Sequence, residues 1–141
     1  MRILAGLSFL ALVACSSVSE PNEWRRVIGV LNPSLSSIQA VHAPAEVTVN
    51  EPFTVTITTV GSSSCTRADG ATSKVSGNTA EVTPYDRIAP RDRACTDDLH
   101  AFPRPVTLLF TSVGEGRILV VTRTFDDVLR TVELTIQVRA R

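Results

Sequence analysis

Val47-Thr48-Val49-Asn50-Glu51-Pro52-Phe53-Thr54-Val55-Thr56-Ile57-Thr58 is the stretch that decides the fold of this chain. Val47 and Val49 alternate with Thr48, the triplet Asn50-Glu51-Pro52 interrupts, and Phe53, Val55 and Ile57 then alternate with threonines. Period two puts the apolar residues on one face and the threonines on the other, as a half-buried antiparallel strand requires. Gly61 and the serines at 62–64 end the run.

Similar text lies on both sides. Residues 25–31 form a β-compatible run closed by Asn32-Pro33, and residues 38–43 form another, closed by Pro44. Residues 72–75 and 79–82 flank Ser76-Gly77-Asn78, a hairpin connection. Val106, Leu108 and Phe110 alternate and stop near Gly114-Glu115-Gly116. Residues 118–122 are apolar on both faces and belong in the middle of a sheet. Asp126-Asp127 reads as a turn, after which Val132, Leu134, Ile136 and Val138 alternate cleanly. The only helical signal is a single turn at residues 97–101, with Thr96 as its N-cap. About seven short strands separated by turn signals predict an all-β protein, an antiparallel β-sandwich.

Pro44-x-x-Val47 followed by Pro52-Phe53-Thr54-Val55-Thr56-Ile57 resembles the opening strands of bacterial immunoglobulin-like domains. The Phe110-x-x-x-Gly114 passage leading into Ile118 and Val120 resembles their penultimate strands. The resemblance spans residues 44–138 and implies an Ig-like sandwich, with the domain assigned to residues 24–141. Two departures stand out. Asn50-Glu51 occupies a turn where such domains often place a glycine, and Trp24 precedes the first matched strand.

The N-terminus carries a different signal. Arg2 is followed by an almost unbroken apolar run over residues 3–13, and Leu12-Val13-Ala14-Cys15 closes it with small residues before a cysteine. A positive start, a short apolar stretch and a small-residue exit describe a secretory signal peptide. The run is shorter than the roughly 20 apolar residues of a membrane span. Its ending resembles the lipobox of bacterial lipoproteins. That resemblance implies cleavage after Ala14, removal of residues 1–14 and lipidation (palmitate among the acyl chains) of Cys15. Several acyl chains on one residue would hold the protein on its membrane, since each buried CH₂ contributes about 0.8 kcal/mol. Ser16 after the cysteine resembles the outer-membrane sorting pattern of Gram-negative lipoproteins. Residues 15–23 then read as a lipidated N-terminus and a flexible polar tether.

The 141-residue chain has 14 basic and 14 acidic residues, so no net field draws it to nucleic acid. With Cys15 assigned to lipid, Cys65 and Cys95 remain, and an exported chain folds where disulfides persist. Their bridge would contribute roughly 3–4 kcal/mol in the chain-entropy account.

Residues 84–104 show no strand periodicity and form the candidate functional loop, since long irregular segments in compact domains are often functional. Tyr85, Arg87, Arg91, Arg93, His100 and Phe102 are the candidate partner-binding residues, because arginine and aromatics are enriched at interface centres. Asp97, Asp98 and His100 are potential ligands, yet His42 and His100 are the only histidines, too few for a zinc centre. Asp86, Asp97 and Asp98 lack the spacing of a twelve-residue calcium loop. The serines at 62–64 are not in a Gly-x-Ser-x-Gly elbow. No phosphate-cradling glycine loop occurs. The expectation is therefore no metal, no cofactor and no enzymatic activity, with a binding or structural role in the cell envelope. The alternatives are a small envelope hydrolase or metalloprotein using His100 with Asp97 or Asp98, and an inhibitor of an envelope enzyme.

Overall fold

The computed structural model describes residues 23–32 and 40–141. The expected signal peptide, Cys15, the tether up to residue 22 and Ile38 lie outside the described residues. Nine strands follow in order: β1 (Arg25–Ile28), β2 (Val41–His42), β3 (Glu46–Thr48), β4 (Pro52–Gly61), β5 (Thr66–Ser76), β6 (Thr79–Ile88), β7 (His100–Leu109), β8 (Gly114–Arg123) and β9 (Leu129–Arg139). They form the expected all-β, two-sheet sandwich. One sheet has the order β2-β4-β7; the other runs β1-β6-β8-β9-β3, with β5 also paired to β6. Residues 79–82 of β6 pair with β8 and residues 85–88 with β1, while β5 pairs along most of β6. Thus β1 and β8 lie end to end on one edge of β6, and β5 lies on the other.

Alternation fixes which side chains form the core. Phe53, Val55 and Ile57 of β4 and Leu108 of β7 point inward from the smaller sheet. Ala80, Val82, Ile118, Val120, Ile136 and Val138 meet them from the larger one. Phe53 and Phe110 pack with ring centroids 5.1 Å apart. Gly116 makes room for this pair, because an added Cβ would stand 2.6 Å from the Phe110 ring. β8 is central, between β6 and β9, as its two-sided apolar character predicts. The Ser76–Thr79 hairpin closes through Gly77, whose φ of 58° suits glycine. Asn50 takes φ 60° at the interrupted turn, a conformation that asparagine tolerates better than most residues.

Several expectations are corrected. The sandwich is mixed: β6 runs parallel to β8, and β3 parallel to β9. Gly114 and Gly116 open β8 instead of ending a strand. β5 begins at Thr66, well before the expected residue 72, because its first residues carry polar side chains on both faces. Residues 84–104 are not one loop: β6 continues to Ile88 and β7 starts at His100, which leaves only residues 89–99 irregular. No helical turn forms at residues 97–101, since Thr96 and Asp98 bond across to the serine turn instead. Pro84 survives inside β6 because it sits at the β8/β1 junction and opposite the β5 bulge between Ala68 and Ala71.

Candidate functional site

Strand register carries three arginines into one row. Arg26 of β1 lies opposite Arg87 of β6, and Arg87 lies opposite Arg67 of β5. Like charges directly across a sheet repel. Asp69 answers part of that repulsion, pairing with Arg26 Nε at 3.0 Å and Arg87 Nε at 3.3 Å. Aromatic faces answer another part: the Arg26 guanidinium lies 3.9 Å from the Tyr85 ring centroid and that of Arg67 lies 4.1 Å from the Trp24 centroid. Arg93 approaches the same Trp24 ring at 5.6 Å. Two of the three guanidiniums, those of Arg26 and Arg87, thus share one carboxylate, and no described acidic residue pairs with Arg67. The face is cationic and aromatic.

This face has a built underside. Arg104 and Asp86 point into the sandwich from β7 and β6, with 5 % and 2 % of their surface exposed. Arg104 Nη2 pairs with Asp86 Oδ1 at 2.6 Å, and Thr59 of β4 donates to the same oxygen at 3.0 Å. Arg104 Nη1 donates to the carbonyls of Gly70 and Tyr85, so one buried guanidinium holds the backbone beside Asp69 and beneath the Tyr85 ring. Gly29 lets this network close, since a Cβ there would collide with the Thr59 methyl and stand 2.9 Å from Asp86 Oδ2.

The disulfide joins Cys65 to Cys95 with Cα atoms 5.5 Å apart, which ties the 89–99 loop to the start of β5. A hydroxyl cluster adds a second fastening. Thr96 Oγ1 lies 2.9 Å from Ser62 Oγ, and Ser63 N donates to Asp98 Oδ1 at 3.0 Å. Hydrogen bonds from Thr96 and then Ser63 hold the Asp98 carboxyl below the ordinary aspartate value. Beneath the loop lies a cavity of about 300 Å³ bordered by Ile88, Arg91, Arg93, Cys95 and Phe125. A second, of about 410 Å³, is lined by Leu31, Ala40, Phe125 and Val132.

The sequence-predicted residues therefore divide. Tyr85, Arg87 and Arg93 come together with Trp24, while Arg91 borders the loop cavity. His100 and Phe102 lie apart, on the other sheet, with rings 5.0 Å apart and edge-on. Asp98 is engaged by Ser63 and Thr96, and Asp86 by Arg104. Among the described residues no three metal-ligating side chains cluster. None of their helices is long and apolar enough to cross a membrane. Trp24, Arg26, Arg67 and Asp69 were missed by sequence reasoning. Their signal is register, which is invisible until β5 and β1 are both aligned on β6. Searches of protein-family models, curated proteins and solved structures find no match to this chain.

Proposed function

We propose that this protein is a non-enzymatic binding module of a bacterial cell envelope, an Ig-like sandwich held on a membrane, the outer membrane in a Gram-negative cell, by lipid on Cys15. Its Arg26–Arg87–Arg67 row takes an acidic protein partner. The single observation that carries the binding role is a row of three aligned guanidiniums served by one carboxylate, Asp69, which pairs with Arg26 and Arg87 and leaves Arg67 without an acidic partner. Arginine supplies planar, bidentate donors that match carboxylates, and the Tyr85 and Trp24 rings lie beneath two of them, those of Arg26 and Arg67. The Ig-like reading is supported by the residues that carry the resemblance: Val47 lies in β3, Pro52 to Ile57 in β4, and Gly114, Ile118 and Val120 in β8. The lipid anchor is supported by Leu12-Val13-Ala14-Cys15.

Crosslinking capture from intact envelopes tests the reading. The full chain with Arg26→Gln, Arg67→Gln and Arg87→Gln should lose its captured acidic partner while keeping its thermal midpoint, because exposed ion pairs add little stability. Undiminished capture would remove this face from the account.

A further inference from the structure

Four of the seven exposed large apolar side chains among the described residues lie at one end of the sandwich, beside Trp24, while Val75, Leu109 and Val113 lie toward the other. Leu99 is 55 % exposed, Phe125 55 %, Val128 54 % and Leu129 62 %. Leu99 ends the disulfide-pinned loop, and the other three belong to the β8–β9 connection and the first residue of β9. Register puts them at one end. Arg25 pairs with Ile88, the last residue of β6, and His100 pairs with Gly61, the last of β4. Arg123, which closes β8, pairs with Leu129. Phe125 borders the same cavity as Arg91, Arg93 and Cys95, and Arg93 reaches Trp24, so the two tips and the entering chain are contiguous.

We infer that this end seats on the phospholipid bilayer to which the chain is anchored, with Phe125, Val128, Leu129 and Leu99 in the interfacial zone. The inference rests on the lipid-anchor reading of Cys15. Geometry selects this end over the other. From Cys15 to Glu23 the chain spans at most about 29 Å when fully extended. From Ile88, which pairs with Arg25, β6 runs nine residue steps, about 30 Å, back to Thr79, and the Gly77 turn lies beyond it. Val113 and the Gly77 turn, at the far end, therefore lie at or beyond the tether's full reach, whereas the near end lies well within it. A short tether also keeps the near end at high effective concentration over the lipid.

The chemistry suits an interface more than a core. Trp24 offers an indole, Arg67 and Arg93 stack on it, and arginine stems can lie along apolar surface with their heads at phosphates. Asp126 sits between Phe125 and Val128 at the tip, which limits the seat to shallow depth, about 5–10 Å into the headgroup boundary. Asp127 is paired with Arg123 at 2.5 Å.

The test uses the full chain as processed by a lipoprotein-competent host. Two single-tryptophan chains are made in a Trp24→Phe background, one carrying Phe125→Trp and the other Val113→Trp. Each is reconstituted in vesicles of phosphatidylethanolamine and phosphatidylglycerol with brominated acyl chains. Emission of the Phe125→Trp chain should fall about twofold relative to unbrominated vesicles, and that of the Val113→Trp chain should hold, as interfacial insertion at one end requires. Equal emission loss in both chains, or none in either, overturns the seat. The mass of the processed N-terminus reports the anchor separately. If Cys15 carries no lipid, the anchor reading fails and the seat with it; if Cys15 is lipidated and the Phe125→Trp emission holds, the seat alone fails.

Discussion

Asp86 and Arg104 stand 18 residues apart in sequence on strands of opposite sheets, and their side chains meet at 2.6 Å in the interior. The pair takes two positions that alternation assigns to the core. Ala80, Val82, Pro84 and Asp86 share the inward parity of β6, as Leu108 and Arg104 share that of β7. Breaking one side leaves a buried charge unpaired, which costs about 3–5 kcal/mol, whereas an apolar replacement of both is often near neutral. Arg104→Met should therefore lower urea stability by that amount, and Asp86→Leu with Arg104→Met should recover most of it. A loss under about 1 kcal/mol for Arg104→Met would show that the pair is not desolvated as described.

This arrangement explains what could be read in advance. β4 and β9 were legible because every inward position holds an apolar residue or a threonine. The ends of β6 and β7 were not, because Asp86 and Arg104 look like loop residues when each strand is read alone. A strand pattern recognises hydrophobicity, and here two charges substitute for it by satisfying each other. The first half of β5 was hidden for another reason: Arg67 and Asp69 face neighbours on the surface, so no apolar face marks it. For the candidate site, Tyr85, Arg87 and Arg93 were found by residue type. Their partners were not, because cross-strand register is a property of three segments at once.

The Cys65–Cys95 bond closes 30 residues. Replacing both cysteines by serine should cost roughly 3–4 kcal/mol in the chain-entropy account. Denaturation of the oxidised protein with and without reductant should give the same difference, and an unchanged midpoint would refute it.

Asn50 at φ 60° makes a sharper local test. Asn50→Ala should destabilise by about 1 kcal/mol, since alanine is strained in the left-handed region, and Asn50→Gly should not. If both variants melt with the wild type, the turn does not hold that conformation in solution.

Asp98 fastens the loop through its ionised form. Hydrogen bonds from Thr96 and then Ser63 depress its folded value below the ordinary 3.8. Its contribution is therefore complete above that unfolded value and is lost as pH falls through the lower folded one. The Ser63 amide resonance should titrate with a midpoint below 3.8. A midpoint at or above that value would contradict the contact.

Glu46 and Arg139 pair at 2.5 Å across 93 residues of sequence, joining β3 to β9. That distance governs kinetics as well as structure. Nearly every early strand here waits for a late one: β1 for β6, β4 for β7, β3 for β9. Such topologies must close long loops before contacts compensate the lost entropy, and they fold in milliseconds to seconds. The β5–β6 and β8–β9 hairpins close locally, but the sheets are complete only once β6, β7 and β9 have been made to receive β1, β4 and β3.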